Sequence, residues 1–369
     1  MSDITRRELL RDSATAAVGI AAATLLPTSM SASQAAPRLR FGVIGLNHGH
    51  IWSQVDTVVR NGGELVSFHA REPELAAECA RRYPSARQVT DDRSIIEDPS
   101  LQLVVSAIVP DQRAALGIRA MRAGKDFMSD KPGMTTLEQL AEVRRVQAET
   151  NRIYSILYGE RLENGATIRA AELVRAGAIG KVIQTIGLGP HRIHPPERPE
   201  WFWDPARYGG ILCDIGSHQF DQFLHFTGTT QAEIIAAQVR NVNHPQRPSF
   251  QDFGDVMVRG NGGTGYIRLD WFTPAGLPTW GDGRLTVLGT DGYIEVRKYV
   301  DLAGRDGGSH LFLVDKTGVR YVDCSNVELP YGRQFVDDVL NRTETAMSQE
   351  HCFLAMELAL RAQQGARVN

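Results

Sequence analysis

The sequence predicts an α/β protein in two parts: a doubly wound parallel sheet, then an α/β domain whose large sheet is mostly antiparallel and open on one face. Three observations predict it. Between Arg38 and Tyr158, short apolar runs alternate with helical patterns, and parallel neighbours require crossover helices of that kind. After Gly159 the alternation stops, and from Ala232 onward strand-like runs separated by glycine-rich turns dominate. With 369 residues, 42% hydrophobic and 22% charged, the chain has material for two cores.

The segment "TRRELLRDSATAAVGIAAATLLPTSMSASQAAP" comes first and stands apart from the fold. Arg6 and Arg7 precede Leu9 and Leu10, a weakly apolar run from Ala14 to Leu26 follows, and small residues fill Ser29 to Ala36. That layout resembles a twin-arginine export signal over 1–36, and the apolar run is too short for a stable membrane anchor. A periplasmic protein, passed to the twin-arginine export machinery already folded with any cofactor in place, is the expectation. Cys79, Cys213, Cys324 and Cys352 are far apart and form no Cys-x-x-Cys pair, so neither a disulfide framework nor a zinc site is expected.

In the mature chain, "RLRFGVIGL" reads as a buried strand followed by a polar turn and a helix near His50. "ELVSFHA" and "LQLVVSAIV" are the next strands, with the helices "EPELAAECARRY" and "DQRAALGIRAMRAG" after them. "DFMSDKP" is a short strand, and "TTLEQLAEVRRVQAET" a helix with a capping threonine. The first domain is drawn at 37–157 and the second at 158–369. In the second, a helix at "NGATIRAAELVRAGAIG" leads to a strand near "KVIQTIGLG", then a helix at "GILCDIGSHQFDQFLHFTG". Six strand-like runs follow, and the amphipathic "EHCFLAMELALRAQQGAR" closes the chain. A net charge of -3, with scattered Lys and Arg, excludes a broad nucleic-acid surface and leaves small-molecule chemistry.

The stretch "GLNHGH" occupies the place of a Gly-x-Gly-x-x-Gly phosphate turn. Gly45 meets the first requirement, a tight turn. Asn47 tolerates the left-handed backbone wanted at the second place, but His50 is bulky where helix and strand pack closely. Twenty positions on, where an acid usually meets the adenine ribose, stand Ala70 and Arg71, a pair that favours NADP over NAD.

Two further motifs carry chemistry. In "SDKPG", a lysine held before proline at a strand end can polarise an oxygen beside a nicotinamide. In "GGILCDIGSHQFDQF", Asp214, His218 and Asp221 fall at i, i+4 and i+7 of a helix, so one face is expected to present an imidazole between two carboxylates. That suits removal of a hydroxyl proton while hydride leaves the carbon.

Together "GVIGL", "AGKDFMSDKP", "GAIGKV" and "GGILCDIGSHQFD" resemble the glucose-fructose oxidoreductase, inositol dehydrogenase and rhizopine catabolism (Gfo/Idh/MocA) family over nearly the whole mature chain. The resemblance implies a Rossmann domain followed by an α/β domain with an open sheet, an NADP or NAD cofactor, and a carbohydrate or polyol substrate. It carries catalytic roles to Lys131, Asp214 and His218, with His218 as acid/base. Cofactor contacts are expected from Gly45, Leu46, Asn47, His48, Arg71, Ile108, Pro110, Asp130 and Lys131. Departures are Asn47, His50, Ala70, Asp130 in place of Glu, and Arg113 where many members have histidine.

The segment "GPHRIHPPERPEWFWD" reads as a substrate-binding lid, because tryptophans stack on sugar faces and histidines bond hydroxyls. Substrate contacts are expected from Tyr158, Arg161, His191, His194, Trp203 and Asp221. The expected activity is oxidation or reduction at a CH–OH group of a sugar, sugar derivative or cyclitol by a homo-oligomer holding its cofactor tightly. The rivals are NAD-assisted glycoside cleavage or epimerisation, and a metal-dependent hydrolase or lyase using His191, His194 and His218.

Overall fold

The computed structural model describes residues 38–194 and 198–368; the segment 1–36, expected from its sequence to be an export signal, lies outside them. In the first part, β1 (Leu39–Ile44), α1 (Ile51–Arg60), β2 (Gly63–His69), α2 (Pro73–Arg82), β3 (Arg87–Gln88), α3 (Arg93–Ile96), β4 (Leu103–Ser106), α4 (Pro110–Arg122), β5 (Asp126–Asp130), α5 (Leu137–Thr150) and β6 (Tyr154–Leu157) follow in order. The six strands pair in parallel in the order β3-β2-β1-β4-β5-β6. Strands β4, β5 and β6 are buried throughout, as a sheet covered by helices on both faces requires. Chain order reverses between β1 and β4, which opens a crevice at their carboxyl ends.

Local chemistry sets the boundaries. Thr136 caps α5 by accepting from the amide of Gln139 at 3.1 Å, and Asn151, in the left-handed region at φ 50°, ends it. Pro110 occupies the first turn of α4, where its missing N–H leaves no helix bond unmade.

The second part runs α6 (Gly159–Leu162), α7 (Gly165–Arg175), β7 (Val182–Pro190), a 3-10 turn (Glu200–Trp203), α8 (Pro205–Tyr208), α9 (Ile211–Asp214), α10 (Gly216–Thr227), β8 (Ala232–Arg240), β9 (Phe253–Gly260), β10 (Thr264–Asp270), β11 (Arg284–Gly289), β12 (Gly292–Arg297), β13 (His310–Asp315), β14 (Gly318–Asp323), α11 (Tyr331–Asn341), α12 (Gln349–Gly365) and β15 (Arg367–Val368). Nine strands form one sheet in the order β14-β13-β12-β11-β7-β10-β9-β8-β15, antiparallel except at β7/β10 and β15/β8. Val256, Ile267, Val287 and Ile294 are buried on one face, which α10 covers in part. On the other, Met257 is 54% and Ile183 46% exposed, so that face is bare.

The helix expected as one piece over "GILCDIGSHQFDQFLHFTG" is interrupted at Ile215, between α9 and α10. Ser217 Oγ donates to the Asp214 carbonyl at 2.9 Å, a side-chain bond that competes with the helical ladder. The last two helices return to the first sheet. Gln349 Oε1 accepts the Tyr154 amide of edge strand β6 at 2.8 Å, and Arg342 grips buried Asp126 through two nitrogens, at 2.6 and 2.9 Å. No helix among the described residues is long and apolar enough to cross a membrane.

Candidate active site

The turn after β1 builds the first part of the site. Gly45 sits at φ +80°, and a Cβ there would lie 2.5 Å from Ile108 Cβ, so only glycine lets the two loops meet. The loops are latched by His48 N to Ala107 O at 3.1 Å and Ala107 N to Gly45 O at 3.2 Å. The two histidines of "GLNHGH" converge on Asp130, His48 Nδ1 at 2.7 Å from one oxygen and His50 Nδ1 at 2.9 Å from the other. Asp130 also accepts from Arg113 Nη2 at 2.9 Å and from the Lys131 amide at 2.7 Å. Burial pushes its carboxyl up, but Arg113 and the imidazoles outweigh that and hold it well below the usual range. An ionised carboxylate only accepts, so each Nδ1 carries the hydrogen it donates. Burial and neighbouring His50 lower His48 to about 4, leaving its Nε2 an acceptor at neutral pH.

Lys131 closes β5 at a cis Lys131-Pro132 bond, and its Nζ lies 2.8 Å from Asp214 Oδ1. Asp214 is in turn placed from behind. Gln363 of α12 accepts the Leu212 amide at 3.0 Å, and a Cβ on Gly210 would lie 2.3 Å from the Gln363 side chain. His218, in the first turn of α10, is 4% exposed; burial lowers it to about 3, and its Nδ1 has no hydrogen-bond partner among the described residues. The carboxylate that pulls hardest against that shift is Glu160 of α6. Burial raises Glu160, but the Lys298 ammonium prevails and brings it to about 2.

Three cavities share wall residues with one another. The first, about 370 Å³, opens at the crevice and is lined by Gly45, Asn47, Arg71, Glu72, Ile108 and Trp201. The second, about 280 Å³, is lined by His48, His50, Pro110, Lys131, His191 and Asp214, with Trp201 again at its wall. The third, also about 280 Å³, holds Glu160, Asn164, His218 and Tyr299, and shares His50, His191 and Trp280 with the second. Lys131 and His218 therefore open onto adjoining chambers. Gly45 and the crevice fit a dinucleotide: the first cavity offers a close backbone approach at one end and both Arg71 and Glu72 for a ribose at the other.

Residues 39–158 match an oxidoreductase family with an NAD-binding Rossmann fold, and residues 167–295 match the GFO/IDH/MocA C-terminal domain. The chain belongs to the Gfo/Idh/MocA family. A solved structure from Erwinia carotovora atroseptica is 45% identical with a TM-score of 0.87, over 89% of this chain and 99% of that one. Levoglucosan dehydrogenase of Pseudarthrobacter phenanthrenivorans is 29% identical over 52% of this chain and 49% of its own length. Inositol 2-dehydrogenase of Acidothermus cellulolyticus is 32% identical over 59% of this chain and 60% of its own. The chain thus spans about half the length of the first of these curated relatives.

Within this Gfo/Idh/MocA chain the residues expected at the site separate. Gly45, Asn47, Arg71 and Ile108 line the nucleotide cleft; His48, Pro110, Lys131, Asp214, His191 and His194 line the middle chamber. Leu46 is core, and Asp130 acts behind the wall through its imidazoles. Asp214 does not orient His218: with the helix broken at Ile215, its carboxylate bonds Lys131. Asp221 does not flank the imidazole either, because it is locked to Arg161 by two bonds of 2.7 Å and to His351 at 2.8 Å. Arg161, Asp221 and Trp203 line none of the three cavities. Tyr158 packs edge-on behind His218 and donates to the Cys352 carbonyl. Trp203 packs edge-on against Phe202 and Phe250, while Trp201, Trp271 and Trp280 supply the chamber walls.

Sequence reasoning missed Glu72, Glu160, Asn164, Trp271, Trp280 and Tyr299, all of which line the cavities. For Glu72 a signal existed: it stands just before Pro73 at the start of α2, two places beyond the position where an acid was sought, and its carboxylate accepts from Asn47 Nδ2 at 2.7 Å. His191, His194 and His218 form no ligand group among the described residues; the one such group is His48, His50 and Asp130. There the Arg113 guanidinium already occupies the carboxylate and opposes a second cation.

Proposed function

We propose that the protein is an NAD(P)-dependent oxidoreductase acting on a CH–OH group of a neutral sugar, sugar derivative or cyclitol, with its cofactor tightly held. The observation that carries this is that the nucleotide crevice shares a wall, Trp201, with the chamber of Lys131, which in turn shares His50, His191 and Trp280 with that of His218. Gly45, Asn47, Arg71, Glu72 and Ile108 would hold the nucleotide, and Pro110 and His48 would bound its nicotinamide end. A nicotinamide held there supplies a two-electron acceptor for hydride. Lys131, aimed by Asp214, donates a hydrogen bond to the substrate oxygen and stabilises the negative charge that grows there. His218 is neutral because burial lowers it to about 3, so it is ready to take the hydroxyl proton. The likeness to levoglucosan and inositol dehydrogenases supports the substrate class.

Denaturing protein purified without added nucleotide, and weighing the released small molecules, is expected to yield NAD or NADP near one per chain. Lys131→Met and His218→Gln are each expected to lower kcat by about 10²- to 10⁴-fold on an oxidised polyol, with the melting temperature little changed. Full turnover in both variants sinks the assignment. The paired Arg6 and Arg7 support export of the folded, loaded protein to the periplasm. Replacing both by lysine is expected to retain it in the cytoplasm on cell fractionation.

A further inference from the structure

Glu160 is 3% exposed, yet its two oxygens meet different fates. Oε2 accepts from Lys298 Nζ, from Gln219 Nε2 at 2.8 Å and from Gln222 Nε2 at 3.4 Å. Oε1 has no hydrogen-bond partner among the described residues, and the same holds for His218 Nδ1. Both side chains line the third cavity. Buried polar atoms are as a rule satisfied, so two orphans on side chains of one cavity wall point to a ligand that completes them once each side chain turns slightly towards the cavity. Lys298, itself 1% exposed, keeps Glu160 ionised, and an ionised carboxylate can only accept. The ligand must therefore donate there, as a hydroxyl does, and an ionised carboxylate or phosphate is repelled. Trp280 and Tyr299, ring centroids 4.5 Å apart, give the same cavity an aromatic wall, and Asn164 adds an amide. An apolar surface beside hydroxyl acceptors matches a polyhydroxylated ring.

We infer that Glu160 and His218 together grip two neighbouring hydroxyl groups of such a ring, His218 the one to be deprotonated and Glu160 the one beside it. The protein thereby selects neutral vicinal diols. The division of roles rests on the oxidoreductase function proposed above; the diol grip itself does not.

The test titrates protein with its bound nucleotide against myo-inositol, D-glucose and levoglucosan, each beside its monodeoxy counterparts. Intrinsic tryptophan fluorescence, to which Trp201, Trp271 and Trp280 of the chamber walls contribute, reads binding, and hydride transfer reads turnover. Glu160→Gln alone strands the Lys298 charge, so Glu160→Gln/Lys298→Met is made as well. In the wild type, removing the hydroxyl beside the reacting one is expected to weaken binding at least about tenfold. In the double variant the parent polyol weakens by a similar factor, chiefly through KM, and no longer differs from that counterpart. A double variant that still discriminates as the wild type does, or a wild type that binds none of the three polyols, overturns the inference. Binding that depends on Glu160, without hydride transfer from any of the three, leaves the inference standing and removes the oxidoreductase assignment instead.

Discussion

Asp130 accepts from two imidazoles, a guanidinium and a backbone amide, and so converts "GLNHGH" from a defective phosphate turn into a wall of the middle chamber. At this scale the motifs were informative where the backbone forces the outcome. Lys131 must follow β5 to the crevice, and Gly45 must let the loops touch. The roles of acidic side chains were far less legible, because a carboxylate goes to whichever cation the tertiary fold brings near: Asp214 to Lys131, Asp221 to Arg161, Glu160 to Lys298. Nothing in "YGER" distinguishes Glu160 from Arg161 as the residue that reaches the cavity. Arg71 and Glu72 share the ribose end of the crevice and pull cofactor preference in opposite directions. Arg71→Ala is expected to raise the Kd for NADP by about tenfold or more and leave that for NAD nearly unchanged, corresponding to a lost charge-assisted bond to phosphate. Equal weakening of both nucleotides in a titration counts against that division.

Among the elements, the parallel strands β1, β2, β4 and β5 were legible as short apolar runs, whereas the exposed pair Arg87–Gln88 of β3 gave no signal and β6 was not separated from the domain's end; the open sheet was legible because its residues alternate. The break at Ile215 was not, since it depends on a hydroxyl at Ser217 turning back to the Asp214 carbonyl. The return of α11 and α12 to the first sheet was equally hidden, being fixed by contacts remote in sequence. The Arg342 to Asp126 clasp is the clearest of these, joining the end of α11 to the start of β5, with Asp126 1% exposed. Arg342→Ala is expected to cost about 2 kcal/mol, below the value for a fully buried pair because Arg342 is a third exposed. Asp126→Asn with Arg342→Ala should cost less than the sum of the two single changes in denaturant unfolding. Additivity would mean the pair is not coupled.

Over the whole molecule, the site is a buried store of neutral imidazoles and ionised carboxylates, and this gives stability a definite pH dependence. His218 and His191 are lowered by burial to about 3 and about 4, so between pH 6.5 and 4 the unfolded chain takes up protons that the folded one refuses. Stability is then greatest above that window and falls as the medium is acidified. Glu160, brought to about 2, adds stability that is present above its unfolded value and lost as pH falls towards 2, in the same direction. The melting temperature is expected to drop steadily from pH 7 to 5, with a shallower slope in His218→Gln; a flat profile over that range contradicts it. Gln363 has a corollary. Because the Oε1 of this α12 glutamine holds the Leu212 amide, two residues before the carboxylate that aims Lys131, a change at Gln363 is expected to alter turnover although the residue lines none of the three cavities.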